Sequence, residues 1–324
     1  MKVSKVLFAL CAGAISLSIA PTTQAQNMFN RPISLVVPFS PGGSTDPVAR
    51  IIAPGLGEEL GQPVVVKNQP GAGGALGAAQ VARADADGHT ILLTTGVVAV
   101  HPHTLKSPGY DVLKDLIPVT QLAAGPYTVV VNPKLPVKTL QELVAYGKAN
   151  PGKLFYGTSG VGGSLHLITE LFSERAGLKM NHIPYKGNGP VVSALLAGDI
   201  QLAFDTIPGS KALSDDGRVR VLAITSAKRN PLMPAIPTMD ESGYPGFSAE
   251  TWTGIFVPVG TKPAVVQRYN DALKKVLQNP VVQERLGAIG YVVVGNSPDQ
   301  FSSLIKKEIE QWKEIAALAK IEKM

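Results

Sequence analysis

Short apolar, β-branched runs alternate with longer segments of helical period over most of the chain. Ile33 to Phe39 predicts a first strand, and Pro47 to Leu60 a first helix, with Asp46 as N-cap and Gly61 as its stop. Pro54 is expected to kink that helix. Pro63 to Asn68 reads as a second strand, an Ala-rich helix follows to Ala84, and His89 to Thr95 reads as a third strand. Three strand-helix steps in succession predict a parallel, doubly wound α/β sheet. Val97 to Pro118 has no period that assigns it.

Val119 to Ala124 and Tyr127 to Asn132 predict two strands separated by Gly125-Pro126, a break followed by immediate re-extension that reads as a domain crossover. The β-α alternation then resumes. Thr139-Leu140-Gln141-Glu142 has the capping-box spacing, and a helix runs on to Asn150. Next come a strand at Leu154 to Gly157, a helix from Ser164 to Ala176, a strand at His182 to Pro184, a helix from Pro190 to Ala197, and strands at Gln201 to Asp205 and Arg220 to Thr225. Ala249 to Gly254 is the expected return crossover. Helices follow at Pro263 to Gln278 and Pro280 to Ile289, with a short strand at Tyr291 to Val294. The last helix opens on Ser297-Pro298-Asp299-Gln300, and its apolar face of Phe301, Leu304, Ile305, Ile309, Trp312 and Ile315 is expected to pack on the N-terminal domain. The layout is two α/β lobes, each a mostly parallel sheet flanked by helices. Residues 26–124 and 253–324 form one lobe and 125–252 the other, with a cleft between them.

Two turns share a grammar that suits an anion. Phe39-Ser40-Pro41-Gly42-Gly43-Ser44-Thr45-Asp46 joins the first strand to its helix, and Thr158-Ser159-Gly160-Val161-Gly162-Gly163-Ser164 does the same in the middle of the chain. First-turn N–H groups lack intrahelical partners and carry the positive end of the helix dipole, and glycines let backbone approach an oxyanion closely. Either turn alone also satisfies the packing needs of any α/β sheet. Facing each other across a cleft, the pair would hold a small carboxylate from both sides.

Residues 1–25 stand apart. Lys2 and Lys5, the apolar Val6 to Ile19 and the Thr23-Gln24-Ala25 ending read as a cleaved secretory signal. The sole cysteine, Cys11, falls inside it, so disulfides, thiolate metal sites and a cysteine nucleophile are not expected of the mature chain. The formal charge of +6 falls to +4 once Lys2 and Lys5 are removed, and no Lys/Arg cluster interleaved with aromatics is present. That speaks against a nucleic-acid partner and suits a small anionic one.

Other chemistry fits poorly. Gly71-Ala72-Gly73-Gly74-Ala75-Leu76-Gly77 departs from dinucleotide spacing, and close packing of its helix is the plainer role. Gly157-Thr158-Ser159-Gly160-Val161 misses the nucleophile elbow at its last position. An exported α/β serine hydrolase or transferase using Ser159 or Ser164 with His166 remains the alternative reading. His101-Pro102-His103 is too closely spaced for zinc, and no metal or cofactor is expected. His166 either holds its turn or contacts a carboxylate. Asp205 either accepts from a ligand donor or caps the helix after it, and Phe39 either covers a ligand or is a core aromatic.

Several motifs resemble one family. Phe39 to Asp46 with Ala49-Arg50, Asn68-Gln69-Pro70-Gly71-Ala72-Gly73-Gly74, Asp87-Gly88-His89-Thr90, Gly160 to Leu167, Ile183-Pro184-Tyr185-Lys186-Gly187, Leu196-Ala197-Gly198-Asp199-Ile200 and Ile236-Pro237-Thr238 are similar to the substrate-binding proteins of tripartite tricarboxylate transporters, the Bug family. The resemblance covers essentially all of the chain after the signal. It implies a periplasmic binding protein of type II, a two-lobed Venus flytrap without catalysis, that delivers a small carboxylate to a small and a large membrane subunit; the chain is expected to be a monomer. It also implies that backbone N–H groups of Ser40, Gly42, Gly43, Ser44 and Thr45, and of Thr158, Ser159, Gly160, Gly162, Gly163 and Ser164, hold the carboxylate. Phe39, Thr95, Tyr185 and Asp205 match positions near the far end of the ligand. Asp46 and His166 complete the candidate set.

Overall fold

The structure is a computed structural model that describes residues 28–43, 45–318 and 321–323. The expected signal at 1–25 and the candidate Ser44 lie outside the described residues.

The chain opens with β1 (Ile33–Val37), α1 (Asp46–Leu60), β2 (Val64–Asn68), α2 (Ala75–Ala82), β3 (Thr90–Thr95) and α3 (Val97–Thr104). A long strand, β4 (Leu116–Val131), leads into α4 (Leu140–Ala149), β5 (Leu154–Thr158), α5 (Ser164–Ala176), β6 (Met180–Pro184), α6 (Asn188–Ala197), β7 (Leu202–Thr206), α7 (Ile207–Asp215) and β8 (Arg220–Ile224). The chain then returns through β9 (Glu250–Pro258) to α8 (Pro263–Gln278), α9 (Pro280–Ala288), β10 (Val292–Val293) and α10 (Pro298–Leu318).

The strand order is β2-β1-β3-β9-β4-β7-β5-β6. β1 pairs in parallel with β2 and β3, and β5 does so with β6 and β7. Between these two parallel groups lie β9 and β4, both antiparallel to their neighbours, so each half is mixed at its inner edge. Sheets with helices on both faces need apolar residues on both sides of a strand. β1 meets this need: Ile33, Leu35 and Val37 enter one core while Val36 enters the other.

Three expectations change. Gly125-Pro126 does not break the chain, since β4 is continuous and pairs with β9 at both residues. Gly125 is instead a point of close approach, where a Cβ would sit 3.0 Å from the Gly290 carbonyl. The unassigned stretch after Gly96 contains α3, which is buried on most sides, including the polar His101 and Thr104, and carries Pro102 inside it, so it has no amphipathic period to read. Finally, α10 does not pack on one lobe alone. Phe301 and Ile305 join Trp252 and Phe256 in a core of the first half, whereas Trp312 and Ala316 join Tyr127 and Phe172 in the core of the second. A helix of 21 residues is about 30 Å long and outruns a single lobe.

Candidate functional site

The carboxyl ends of β1, β3, β5 and β7 surround a cavity of about 180 Å³. That is more than ten times the roughly 10–15 Å³ one water needs. Phe39, Ser40, Gly43, Thr45 and Thr95 line it from the first half, and Ser159, Gly160, Gly163, Ser164 and Asp205 from the second. A wider mouth of about 770 Å³ adjoins it, sharing Phe39, Ser40, Ser159 and Gly160 and adding Tyr185 and Lys186. The two turns therefore do face one crevice. The second turn also packs against the segment before α2 and against α3: a Cβ on Gly160 would lie 3.6 Å from the Gly73 Cα, and Thr104 Oγ1 donates to the Gly162 carbonyl at 2.7 Å.

Five helices begin at this cavity. Thr45 precedes α1, Val97 opens α3, Gly163 and Ser164 open α5, Asn188 opens α6 and Thr206 precedes α7. Among the described residues, no Lys, Arg or His lines the inner cavity. What this wall offers an anion is therefore helix starts with their peptide dipoles rather than a side-chain cation.

Other candidates lie one layer behind the wall. Gly42 donates its N–H to Asp46 Oδ2 at 3.2 Å, so that amide is engaged within its own turn. Asp46 also accepts from Arg50 Nε at 2.8 Å and Asn68 Nδ2 at 3.0 Å. Burial alone would raise the Asp46 pKa, but these hydrogen bonds outweigh it and hold the carboxyl below its ordinary value. Asp46 is thus a brace for the turn, not a cavity residue. In the second turn, Gly162 donates its N–H to His166 Nδ1 at 3.1 Å. His166 stacks on His182 with ring centroids 4.0 Å apart, and His182 stacks on Tyr156 at 4.9 Å. Thr158 Oγ1 lies 2.6 Å from His182 Nε2 and donates to the Gly160 carbonyl at 2.9 Å. Burial lowers both histidines to about 4, so both are neutral supports at neutral pH. Gly162, Thr158 and His166 shape the turn from behind, and Tyr185 lines the mouth only.

The architecture agrees with what similarity shows. The family profile described as "Tripartite tricarboxylate transporter family receptor" matches residues 48–321. The chain belongs to this receptor family. Protein BugT of Bordetella pertussis is 40% identical over 314 residues, covering 96% of each chain. The solved periplasmic binding protein BugD superposes with a TM-score of 0.87 at 37% identity, covering 91% of this receptor and 99% of BugD. An R. palustris protein solved with adipate superposes with a TM-score of 0.88 at 35% identity, with 91% and 99% covered. This receptor is accordingly a two-lobed periplasmic solute-binding protein of the Bug type, and its family and neighbours are binding proteins rather than enzymes. The serine-hydrolase alternative loses its base as well, since His166 Nδ1 is held by the Gly162 N–H.

Eleven residues of the receptor's cavity wall were not in the expected set, among them Gly73, Val97, Tyr127, Asn188, Thr206 and Thr251. Gly187-Asn188-Gly189-Pro190 is another Gly-rich helix start, and that signal was available in the sequence. Tyr127 and Thr251 sit where the two crossover strands pass the cavity, and only the pairing of β4 with β9 brings them there.

Proposed function

We propose that this receptor captures a small carboxylate between its lobes and delivers it, as a monomer, to the small and large membrane subunits of a tripartite transporter. The lobes comprise residues 26–124 with 253–324, and 125–252, and residues 1–25 are a leader removed on export. The carboxylate lies between the first-turn amides of α1 and α5, against Ser40, Gly43, Thr45, Ser159, Gly160, Gly163 and Ser164, with Phe39, Thr95 and Asp205 toward its other end. Gly42, Thr158, Gly162 and His166 fix the turns, and Tyr185 borders the way in.

The observation that carries this reading is the convergence of five helix starts on one cavity whose inner wall, among the described residues, has no basic side chain. Backbone donors bind an anion without a full positive charge that would have to be desolvated on closing. Closure of the lobes removes water and strengthens each hydrogen bond to the charged oxygens. The R. palustris neighbour solved with adipate supports a carboxylic acid as the class of ligand.

Thermal melting of the purified protein with a panel of monocarboxylic, dicarboxylic and aromatic acids tests the proposal, alongside native mass spectrometry for a co-purified acid. At least one acid should raise the melting temperature and be recovered unchanged. Equal melting with every acid and no bound anion would contradict it.

A further inference from the structure

The inner cavity is chemically one-sided. At the α1 and α5 end the wall is made by two helix starts, Thr45 before α1 and Gly163 and Ser164 at α5. At the β7 and α6 end it presents oxygens. Asp205 is buried and lines the cavity. Its Oδ1 accepts from the Thr206 N–H at 2.7 Å and from Asn188 Nδ2 at 2.9 Å, whereas Oδ2 has no hydrogen-bond partner among the described residues. Because the Asn188 amide nitrogen is committed to Asp205, its oxygen is turned elsewhere, and this buried Oδ1 has no partner either. The Thr206 hydroxyl beside them is also buried and unpartnered. Gly209 backs the group: a Cβ there would collide with both Asp205 carboxyl oxygens, so the absence of a side chain is what leaves room for the carboxyl.

A buried acceptor without a donor is costly, as at Asn188 Oδ1, and Asp205 Oδ2 likewise can only accept. The cluster is therefore built to meet a donor that the protein does not supply. Resting on the carboxylate reading above, we infer that Asp205, Asn188 and Thr206 form a donor-reading subsite that selects small acids bearing a hydroxyl or ammonium group remote from the bound carboxylate. An unsubstituted dicarboxylate would place its second carboxylate against Asp205. Like charges at that range disfavour ionisation, so such a ligand binds only when a proton is taken up between the two carboxyls. The pKa of Asp205, pushed up to about 6 by burial against the opposing hydrogen bonds from Thr206 and Asn188, sits where that proton uptake is accessible.

Isothermal titration with matched acids tests this. The pairs are γ-hydroxybutyrate with succinate and ε-hydroxyhexanoate with adipate, with butyrate and hexanoate as controls, at about pH 7.5 and 5.5 in two buffers of different ionisation enthalpy. The hydroxy acid of at least one pair should bind about tenfold or more tighter than its dicarboxylate at the higher pH, a difference of about 1.4 kcal/mol. The dicarboxylate should gain about tenfold on acidification, with uptake of about one proton. Asp205→Asn places an amide donor at the subsite and should narrow or invert the preference between hydroxy acid and dicarboxylate. Thr206→Val gives an independent variant that should weaken the hydroxy acid and not the dicarboxylate. Control acids that bind while hydroxy acid and dicarboxylate are equal, without proton uptake, would overturn the subsite and leave carboxylate capture standing. Failure of every acid to bind would overturn both.

Discussion

Trp252 of β9 donates its indole N–H to both carboxylate oxygens of Glu308 on α10, each at 2.8 Å. The contact joins the return crossover to the helix that packs on both lobes. It also abuts the start of α3, where a Cβ on Gly96 would lie 3.2 Å from the indole nitrogen. Burial pushes Glu308 up to about 7, against hydrogen bonds from Trp252 and Trp312 that partly offset the rise. Its folded-state pKa therefore exceeds its ordinary 4.5. The stability contributed by this group is fully present below about 4.5 and is lost as the pH rises through about 7.

Glu308→Gln keeps an acceptor for the indole and removes the ionisation. Relative to the unmodified protein, the variant should gain roughly 1–3 kcal/mol of stability at pH 8 compared with pH 5. Chemical denaturation at the two pH values measures this. Parallel pH dependence of the two proteins would contradict it.

The buried histidines act in the opposite sense. His101, His166 and His182 are each lowered to about 4 by burial, from an ordinary 6.5. The unfolded chain takes up protons first, so stability falls as the pH drops from about 6.5 toward 4. His182→Phe keeps a ring in the stack and removes one titration. The variant should lose less stability than the unmodified protein over that window, by roughly 1–3 kcal/mol. Identical losses would show that His182 does not titrate in this way.

Thr104→Val removes the hydrogen bond from α3 to the Gly162 carbonyl while keeping the side-chain volume. If the lobes separate and close around the ligand, that bond forms on closure. Affinity for a stabilising acid should fall about fivefold, the equivalent of about 1 kcal/mol, with little change in the melting temperature of the ligand-free protein. A drop in stability with unchanged affinity would place the bond within one rigid body instead.

Much of this site was readable from residues and their spacing. The strand-turn-helix grammar around Gly43 and Gly163 placed two turns that the fold does bring to one cavity, because strand ends and helix starts are local features with local signals. What escaped was non-local. The amides of Gly42 and Gly162 looked free, yet Asp46 and His166, each four residues further on, accept from them. Gly125-Pro126 looked like a break because composition does not reveal that Gly290 packs against it. The last helix looked amphipathic toward one partner, since a helical face does not state how many bodies it crosses. Tyr127 and Thr251 carry no motif and reach the wall only through the pairing of distant strands.

Gly43→Val tests the first turn. Gly43 lines the cavity, and a Cβ there would already lie 3.3 Å from the Ser40 carbonyl, so a branched side chain is forced toward the space an anion would occupy. Binding of a stabilising acid should weaken about tenfold or more, while the ligand-free melting temperature moves by only a few degrees. Unchanged affinity would count against the turn as a ligand contact.

The most direct test is a crystal structure of the receptor with its stabilising acid bound. A carboxylate should lie between the starts of α1 and α5, with its oxygens about 2.7–3.2 Å from backbone nitrogens of both turns. An acid seated elsewhere, or held by one lobe alone with the second turn directed away from it, would contradict the account.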